Sequence, residues 1–272
     1  MLTMFRVYWP FAANKIKSSF AYRGRFYLLI LGRIFSMFIV FFLWMAIYKN
    51  SNGGIIGGFS ENEMMLYVFM SYVISGYATI GISDEIGSNI VDGSIAINLT
   101  KPLDYRLSLI FKAFGTLVYK FVVPSLFIWI GVEIYRVIYL GIAVTSIVNI
   151  ALFLLSSLFS FFIYVLFDYL FGMLAFYTTY IFGLNIAKSA VLGILTGQLI
   201  PLSFFPEVVQ KVFSILPFSS MTYLPVMIYM GKCSKFDTMM IIVRQIVWII
   251  ILYYCGTVLW KKATKRLVVL GG

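Results

Sequence analysis

The sequence lacks the residues that most catalytic and metal sites need. It contains no histidine, which excludes histidine-dependent triads and removes the commonest metal ligand. Its two cysteines, Cys233 and Cys255, give no metal-ligand spacing, and we expect no disulfide between them. The sequence has neither a G-x-x-x-x-G-K-[ST] phosphate loop nor a G-x-S-x-G elbow. We therefore expect no enzyme active site and no metal site, and if the protein carries out active transport, its energy source must be another chain.

Charged residues are also scarce. They make up 11% of the chain, whereas soluble proteins have about 25%. Hydrophobic residues make up 62% of the 272 residues, and the mean hydropathy is +0.98. This composition predicts an all-α, polytopic integral membrane protein. Six segments have about the 20 apolar residues that a transmembrane helix needs, namely 26–48, 64–82, 107–131, 138–167, 172–199 and 236–260.

The basic residues predict how these six spans are oriented. Residues 1–25 mix charges with aromatics and predict an interfacial helix, and residues 261–272 form a basic tail. The side that holds both ends and the 83–106 loop carries 11 lysines and arginines, and the other side carries 5. The positive-inside rule therefore predicts cytoplasmic termini and an outer location for residues 200–230. This distribution also explains the net charge of +11, so no nucleic-acid partner is expected.

Several ionisable and aromatic residues lie within the predicted spans. Arg33 and Arg244 are close to helix ends, and we expect them to snorkel. Lys120 and Lys188 lie deeper, where each either faces a polar pathway or forms a structural pair. No carboxylate is expected deep in a span, which argues against a proton-coupled carrier. Aromatics of the second and fifth spans either belong to interfacial belts or line a route for an amphipathic substrate; they are Phe69, Tyr72, Tyr77, Phe176, Tyr177 and Tyr180.

Residues 83–103 predict a short amphipathic helix between the second and third spans. Isoleucines recur at i, i+4 spacing with polar residues between them, and Gly93 and Pro102 are typical of a helix end. Asp84 and Glu85 lie in the first turn, where negative charge suits the helix dipole. This helix either enters a groove on a soluble partner or is a solvated connector. The residues assigned to partner coupling are Asp84, Glu85, Ile86, Ile90, Gly93, Ile95 and Pro102.

Prolines interrupt the apolar sequence between the fifth and sixth spans. Four of them fall within residues 196–225, and proline breaks helices. Irregular backbone at membrane depth survives only when it is buried in protein or lines a wet cavity. The stretch therefore predicts short re-entrant helices over residues 200–230 that form either an extracellular gate or a plain structural cap. The residues assigned to the gate are Gly197, Pro201, Pro206, Pro217 and Phe218.

Three stretches resemble the ABC-2 type permeases, the transmembrane subunits of one class of ABC exporters. The first is E-I-G-S-N-I-V-D-G-S-I-A-I-N-L-T-K-P-L at 85–103. The second is T-G-Q-L-I-P-L-S-F-F-P with L-P-F and Y-L-P-V at 196–226. The third, L-W-K-K-A-T-K-R-L-V-V-L-G-G at 259–272, resembles a subfamily often paired with a second permease. Together they extend the resemblance over essentially the whole chain.

The resemblance implies a fold, a set of partners and an activity. It implies an interfacial helix, six spans and re-entrant extracellular helices, in a bacterial cytoplasmic membrane. It implies a permease dimer, with an identical or paralogous second copy, on two cytoplasmic ABC ATPases that bind the ATP and Mg²⁺; this chain would hold no cofactor. Residues 83–103 would be the coupling helix, with Glu85, Gly93 and Pro102 carried over to that role. The cargo would be an amphipathic drug, peptide or lipid-like molecule.

The residues alone leave two other functions open. An ATP-independent carrier or channel would need no partner, but carriers are typically built from inverted repeats, and none is evident here. A purely structural membrane anchor is the third reading. A stoichiometric partner protein with a phosphate loop would distinguish the exporter from both.

Overall fold

The computed structural model describes residues 2–21, 23–51, 54–118, 123–139, 141, 145–178 and 180–266. The described residues fold as helices, short 3-10 turns and connecting loops, so the all-α prediction is confirmed for them. The α-helices are α1 Leu2–Ala21, α2 Arg23–Asn50, α3 Glu61–Ile74, α4 Ile82–Val91, α5 Ser94–Thr100, α6 Tyr105–Leu117, α7 Val123–Tyr139, α8 Ile147–Gly172, α9 Phe182–Leu195, α10 Glu207–Ile215, α11 Tyr223–Tyr229 and α12 Lys235–Ala263. The 3-10 turns are Ser75–Thr79, Met173–Phe176, Leu202–Phe204, Pro217–Ser220 and Thr264–Arg266.

Four described segments are long and apolar enough to cross a membrane. They are Ile30–Asn50, Glu61–Val91, Ile147–Phe176 and Lys235–Ala263. The pair Glu207–Ile215 and Pro217–Tyr229 is bent by 74°, and it raises the number to at most five if it counts as one span. The described residues therefore form a multi-pass membrane protein, and they do not reproduce six continuous spans.

The predicted boundaries differ from the observed ones in the middle of the chain. The expected span 107–131 is divided between α6 and α7, and Lys120 lies between them, outside the described residues. Residues 132–136 were expected to turn, but α7 continues through them to Tyr139. The expected span 138–167 therefore begins later, at Ile147, and α8 continues to Gly172.

The fifth expected span and the 83–103 helix are also interrupted. Within 172–199 only α9 is an α-helix, and at 14 residues it is about 21 Å long. A 3-10 turn over Met173–Phe176, which continues from the end of α8, precedes it. Residues 83–103 form two helices, α4 and α5, rather than one, because Gly93 adopts a left-handed conformation between them.

α8 lies at the centre of the packing. It is 26 residues or about 39 Å long, and it packs most extensively against α12, α4 and α11. α11 lies at its N-terminal half, where Tyr229 packs against Phe153 at 5.2 Å between ring centroids. α4 lies at the other end, beside Asp168 and Gly172. The predicted coupling segment therefore meets α8 near its C-terminal end, whereas the predicted gate contacts α8 along most of its length, from Phe153 to Phe167.

Arg33 joins α2 to the end of α3 rather than extending away from the protein. Its guanidinium donates to the carbonyl of Tyr72 and, at 3.2 Å, to that of Val73. The hydroxyl of Ser125 donates to the same Val73 carbonyl at 2.8 Å. The last carbonyls of a helix have no partner within it. Arg33 supplies one here, so the expectation that it snorkels is wrong.

Candidate functional site

α4 obtains its N-terminal cap from another helix. Its N-cap residue is Gly81, which has no side chain to fill that role. The carboxylate of Asp168 on α8 takes this place, because its Oδ2 accepts the backbone N–H groups of Ile82 at 2.7 Å and Ser83 at 3.2 Å. A negative charge at this position also interacts favourably with the positive end of the helix dipole. The start of α4 is thus fixed to the C-terminal end of α8.

Lys188 of α9 neutralises that carboxylate. Its ammonium group forms an ion pair with Asp168 Oδ1 and donates to Ser83 Oγ at 2.7 Å and to Asn185 Oδ1 at 3.0 Å. An ammonium group has three donors, and all three are used. Asp168 is 7% exposed and Lys188 is 9% exposed. Because buried charges are tolerated when they are paired and hydrogen-bonded, this arrangement is a complete buried ion pair.

Asn185 extends the contact to a second residue of α4. Its amide nitrogen donates to Asp84 Oδ1 at 2.5 Å, and its oxygen lies 2.9 Å from Ser83 Oγ. The Ser83 hydroxyl also lies 2.7 Å from Asp168 Oδ1, so its single hydrogen is shared between two acceptors. We call the five residues Ser83, Asp84, Asp168, Asn185 and Lys188 the α4 clamp. The clamp joins α4, α8 and α9.

Glycines let α4 approach its neighbours closely. A Cβ at Gly172 of α8 would lie 2.7 Å from Ile86 Cδ1 and 3.1 Å from Ser83 Cα. A Cβ at Gly87 of α4 would lie 2.3 Å from Ile181 Cγ2. Small residues permit this kind of close helix contact in membrane proteins. The clamp is therefore supported by backbone-level packing on two sides of α4.

A second ion pair joins α4 to α6. Lys112 of α6 pairs with Glu85, and the two side chains are 31% and 23% exposed. Solvent screens such a pair, so it contributes much less than a buried one. α6 in turn packs along α1. Glu85 thus ties α4 to the N-terminal helix through α6.

The α4–α5 segment has an inner and an outer face. Ile86 and Ile95 are buried against the protein's own core, and Ile90 is partly buried. Val91, Ile97 and Leu99 are 66%, 64% and 39% exposed. We call these three residues the α4–α5 outer face. The predicted coupling residues Ile86 and Ile95 therefore position the segment. Its exposed apolar surface comes from Val91, Ile97 and Leu99, which were not assigned to coupling, although Ile97 belongs to the i, i+4 series.

The turn between α4 and α5 is formed by local hydrogen bonds. Gly93 has a φ of 74°, a conformation that favours glycine. Asp92 accepts the backbone N–H of Ser94 at 2.9 Å. Hydrogen bonds from the Ser94 hydroxyl and backbone lower the pKa of the Asp92 carboxyl. Pro102 is exposed and lies just beyond α5. The turn thus holds the outer face in a fixed orientation to α4.

The predicted pathway residues fall into separate groups. Tyr72 and Tyr77 are buried within this chain, and Phe69 is partly buried at 5.1 Å from the Phe41 ring. Phe176 packs against Trp260 at 5.9 Å. Tyr177 and Tyr180 are exposed between α8 and α9. Lys188 belongs to the α4 clamp. Within one chain these residues do not form one continuous surface, and their pathway role stays a prediction.

The predicted gate is a bent pair of helices, which we call the lid (Glu207–Tyr229). Pro206 is the N-cap of α10, and Glu207 lies in its first turn, as the sequence predicts. Pro217 is buried at the start of the turn Pro217–Ser220 that joins α10 to α11. Beside the lid, Pro201 is buried, and the Gly197 carbonyl accepts the Tyr67 hydroxyl at 2.5 Å. The prolines therefore lie where the helices begin and bend.

One face of α8, together with α12, holds the lid in place. Ser160 donates to the Ser220 carbonyl at 2.8 Å, the Tyr164 and Thr222 hydroxyls lie 2.9 Å apart, and the Phe167 ring lies 5.5 Å from that of Phe218. Gln245 of α12 donates to the same Ser220 carbonyl at 3.0 Å and accepts from the Ser156 hydroxyl at 3.0 Å. We call these α8 and α12 residues the lid seat, namely Ser156, Ser160, Tyr164, Phe167 and Gln245.

The central residue of the clamp was not predicted from the sequence. Asp168 was expected in a link between spans, and that expectation is wrong, because Asp168 is buried inside α8, four residues before its end. A signal was available: a lone Asp follows a long apolar run, and Asn185 and Lys188 have the i, i+3 spacing of one helix face. Among the described residues, no group of three Asp, Glu or Cys side chains is arranged to hold a metal ion.

Comparison with known protein families identifies the chain's relatives. A family model described as "ABC-2 family transporter protein" matches residues 34–271, which include every element of the clamp, the lid and the lid seat. No curated protein matches the sequence significantly.

Proposed function

This chain belongs to the ABC-2 family of transporter proteins, and on that premise we propose that it is the permease subunit of an ATP-driven exporter. Membership makes the chain a membrane component of an ABC transporter and associates it with an ABC ATPase. The observation that carries the proposal further is the α4–α5 segment. Its inner face is clamped to α8 and α9, and its outer face leaves three apolar side chains exposed.

The outer face fits a groove on a soluble protein. Val91, Ile97 and Leu99 are exposed at the end of α4 and along α5, and the exposed charged residues Asp92 and Lys101 lie in the same segment. Exposed apolar side chains interspersed with charged ones are typical of a segment that contacts a partner. The partner that the family supplies is a cytoplasmic ATPase. We propose two ATPase copies, bound to this chain and to a second permease, identical or paralogous.

The basic residues support a cytoplasmic position for this segment. They are concentrated in the α1 region, in the loop that contains α5 and in the C-terminal region. Tyr229, at the end of the lid, lies beside Phe153 in the N-terminal half of α8, away from the clamp. We infer cytoplasmic termini, an extracellular lid and a bacterial cytoplasmic membrane.

The contacts of α4 support a route for coupling. ATP-driven closure of the partner would move α4, which follows α3 directly through the turn Ser75–Thr79 and holds α9 through Lys188. α3 and α9 correspond to the second and fifth expected spans, between which we propose that the pathway opens. The proposed cargo is an amphipathic drug, peptide or lipid-like molecule, and it would pass between two permeases along the aromatic candidates.

A purification experiment tests the proposal. An affinity-tagged chain is purified from its native membranes, and the co-purified proteins are identified and tested for ATP hydrolysis. We expect a stoichiometric protein with a phosphate loop, and its loss in the variant Ile97→Glu. Ile55→Glu is the matched control, because Ile55 is an equally exposed isoleucine on the predicted outer side. An ATP-independent carrier would purify without such a protein, and that result would contradict the proposal.

A further inference from the structure

Two consecutive residues of α8 contact the coupling segment and the lid, the two regions whose movements a transporter would have to coordinate. Asp168 caps α4 and pairs with Lys188 of α9. Phe167, the residue before it, packs edge-on against Phe218, in the turn Pro217–Ser220 at the tip of the lid. Consecutive residues of a helix point about 100° apart, so one turn of α8 contacts both regions from different sides.

The lid reaches far into the protein to make this contact. Arg244 and Trp248, in the middle of α12, donate to the carbonyls of Ser214 at 2.7 Å and Ile215 at 3.1 Å at the end of α10. α9, which provides Lys188, also packs against the turn Pro217–Ser220. The tip of the lid therefore touches both helices to which α4 is clamped. A displacement of α4 has a short, packed route to the lid.

The two sides of this turn of α8 differ in how freely they can rearrange. On the α4 side, the buried ammonium of Lys188 has three partners and the carboxylate of Asp168 is paired, so separating them would leave charges buried. On the lid side the contacts that α8 itself makes are neutral, although Arg244 of α12 also donates to the Ser214 carbonyl and Tyr229 donates to the Glu133 carboxylate. The buried hydroxyls of Ser157, Ser219 and Ser220 have no hydrogen-bond partner among the described residues. They are spare groups with which a displaced lid can form new hydrogen bonds.

We propose that the Phe167–Asp168 step of α8 transmits movement from the coupling segment to the lid. Asp168 is the positioning residue that makes α4, α8 and α9 move as one body, and Phe167 carries that movement to Phe218. The hydrogen-bonding contacts of the lid seat, made by Ser156, Ser160, Tyr164 and Gln245, are the ones that change. This inference rests on the proposed function, because it requires that a partner ATPase moves α4. It supplies the two-state element that a coupling route between distant sites requires.

A buried serine in the lid offers a reporter for this movement. Ser219 is 2% exposed, and its hydroxyl lacks a partner among the described residues, so Ser219→Cys is a small change. It is made in a background with Cys233→Ser and Cys255→Ser. The co-purified complex with its ATPase, reconstituted in lipid, is treated with a water-soluble maleimide, without nucleotide and after trapping with ATP and vanadate. The labelling rate reports the fraction of molecules in which the lid has moved and exposed residue 219.

The expected result is an increase of about tenfold in labelling rate on trapping, because the open population rises. Phe167→Leu and Asp168→Asn should each abolish this increase while the ATPase still co-purifies and hydrolyses ATP. Phe162→Leu is the matched control, since Phe162 lies on the same helix but packs against Phe114 of α6, and it should retain the increase. If Asp168→Asn fails to fold, Asp168→Asn with Lys188→Met removes both charges and should also lose the increase.

The remaining outcomes separate failure of the proposed function from failure of this inference. If no ATPase accompanies the parent chain, the proposed function fails. Two results would overturn this inference and leave the proposed function standing. In the first, the ATPase is present but nucleotide does not change the labelling rate of the parent chain. In the second, labelling remains nucleotide-dependent in both Phe167→Leu and the Asp168 variants. Strong labelling of Phe167→Leu without nucleotide would also overturn it, because Phe167 would then only hold the lid shut.

Discussion

The α4 clamp and the lid seat both place polar groups along α8, but they do so with different chemistry. The clamp is ionic: Lys188 uses all three donors, and Asp168 accepts from a helix N-terminus and from the ammonium. The lid seat is neutral, built from an amide, hydroxyls, backbone carbonyls and an aromatic pair. The Asp168–Lys188 pair is buried, and so are Ser156, Ser160, Tyr164 and Gln245 of the lid seat, so the difference between them lies in charge rather than in exposure.

This difference indicates which region is fixed and which can move. Leaving one member of a buried ion pair without its partner costs about 3–5 kcal/mol. Exchanging one neutral hydrogen bond for another changes the free energy by far less, since a typical one contributes about 0.5–1.5 kcal/mol. We infer that the clamp keeps α4, α8 and α9 together through a transport cycle and that the lid seat rearranges.

The largest effect is expected when one charge of the clamp is removed. Asp168→Asn and Lys188→Met should each lower the free energy of unfolding by about 3–5 kcal/mol, because the remaining charge stays buried. The double variant should be more stable than either single variant. Unfolding in mixed detergent micelles measures this. Additive losses would contradict the clamp as a coupled ion pair.

The next effect is expected at the turn that orients the outer face. Gly93→Pro should cost about 3 kcal/mol locally, because proline fixes φ near −65° and removes the N–H that donates to Ile90 at 3.2 Å. The ATPase that co-purifies should be lost. Gly93→Asn is the control, because asparagine tolerates a positive φ, and it should retain the partner. Full ATPase binding by Gly93→Pro would show that the turn does not position the docking surface.

A smaller effect is expected in the lid seat. Gln245→Leu removes the hydrogen bonds to Ser156 and Ser220, and it should destabilise the chain by about 1–3 kcal/mol by leaving their groups unpaired. The Ser219→Cys reporter should then label without nucleotide. Co-purification of the ATPase should be unchanged, because Gln245 makes no hydrogen bond to α4 or α5. Loss of the ATPase in this variant would mean that the two regions are not separable.

The smallest effect is expected at the exposed pair of α4 and α6. Glu85→Lys places two positive charges together, and the half-exposed pair contributes at most about 1 kcal/mol. The variant should therefore co-purify less ATPase at low salt. The charge swap, Glu85→Lys together with Lys112→Glu, should restore the amount of ATPase that co-purifies. A swap that restores nothing would place Glu85 in direct contact with the partner instead.

The sequence was sufficient for features that depend on local composition. Long apolar runs predicted α2, α8 and α12, and the prolines predicted that α10 begins at Pro206 and that the lid bends at Pro217. The glycine at 93 was correctly identified as the end of a helix, although the helix that follows it was not expected. Each of these features is determined by the conformational limits of a few neighbouring residues.

The clamp could not be predicted because its partners are far apart in the chain. The hydrogen bond from Ile82 to Asp168 spans 86 residues, and the one from Lys188 to Ser83 spans 105. Composition assigned Asp168 to a link, since a charge inside a span is costly unless a partner lies nearby. Likewise, i, i+4 spacing identified an apolar face on α4 but could not tell that Ile86 packs inward rather than onto another protein.

The central claim is that the α4–α5 outer face contacts the ATPase, and site-specific photo-crosslinking in intact native membranes tests it most directly. A benzophenone side chain is placed at residue 97 of the outer face, and in a parallel sample at residue 55 in the loop after α2. Our account predicts a single protein adduct from residue 97, containing a phosphate-loop ATPase, and no such adduct from residue 55. An ATPase adduct from residue 55, or adducts only with lipid from residue 97, would contradict it.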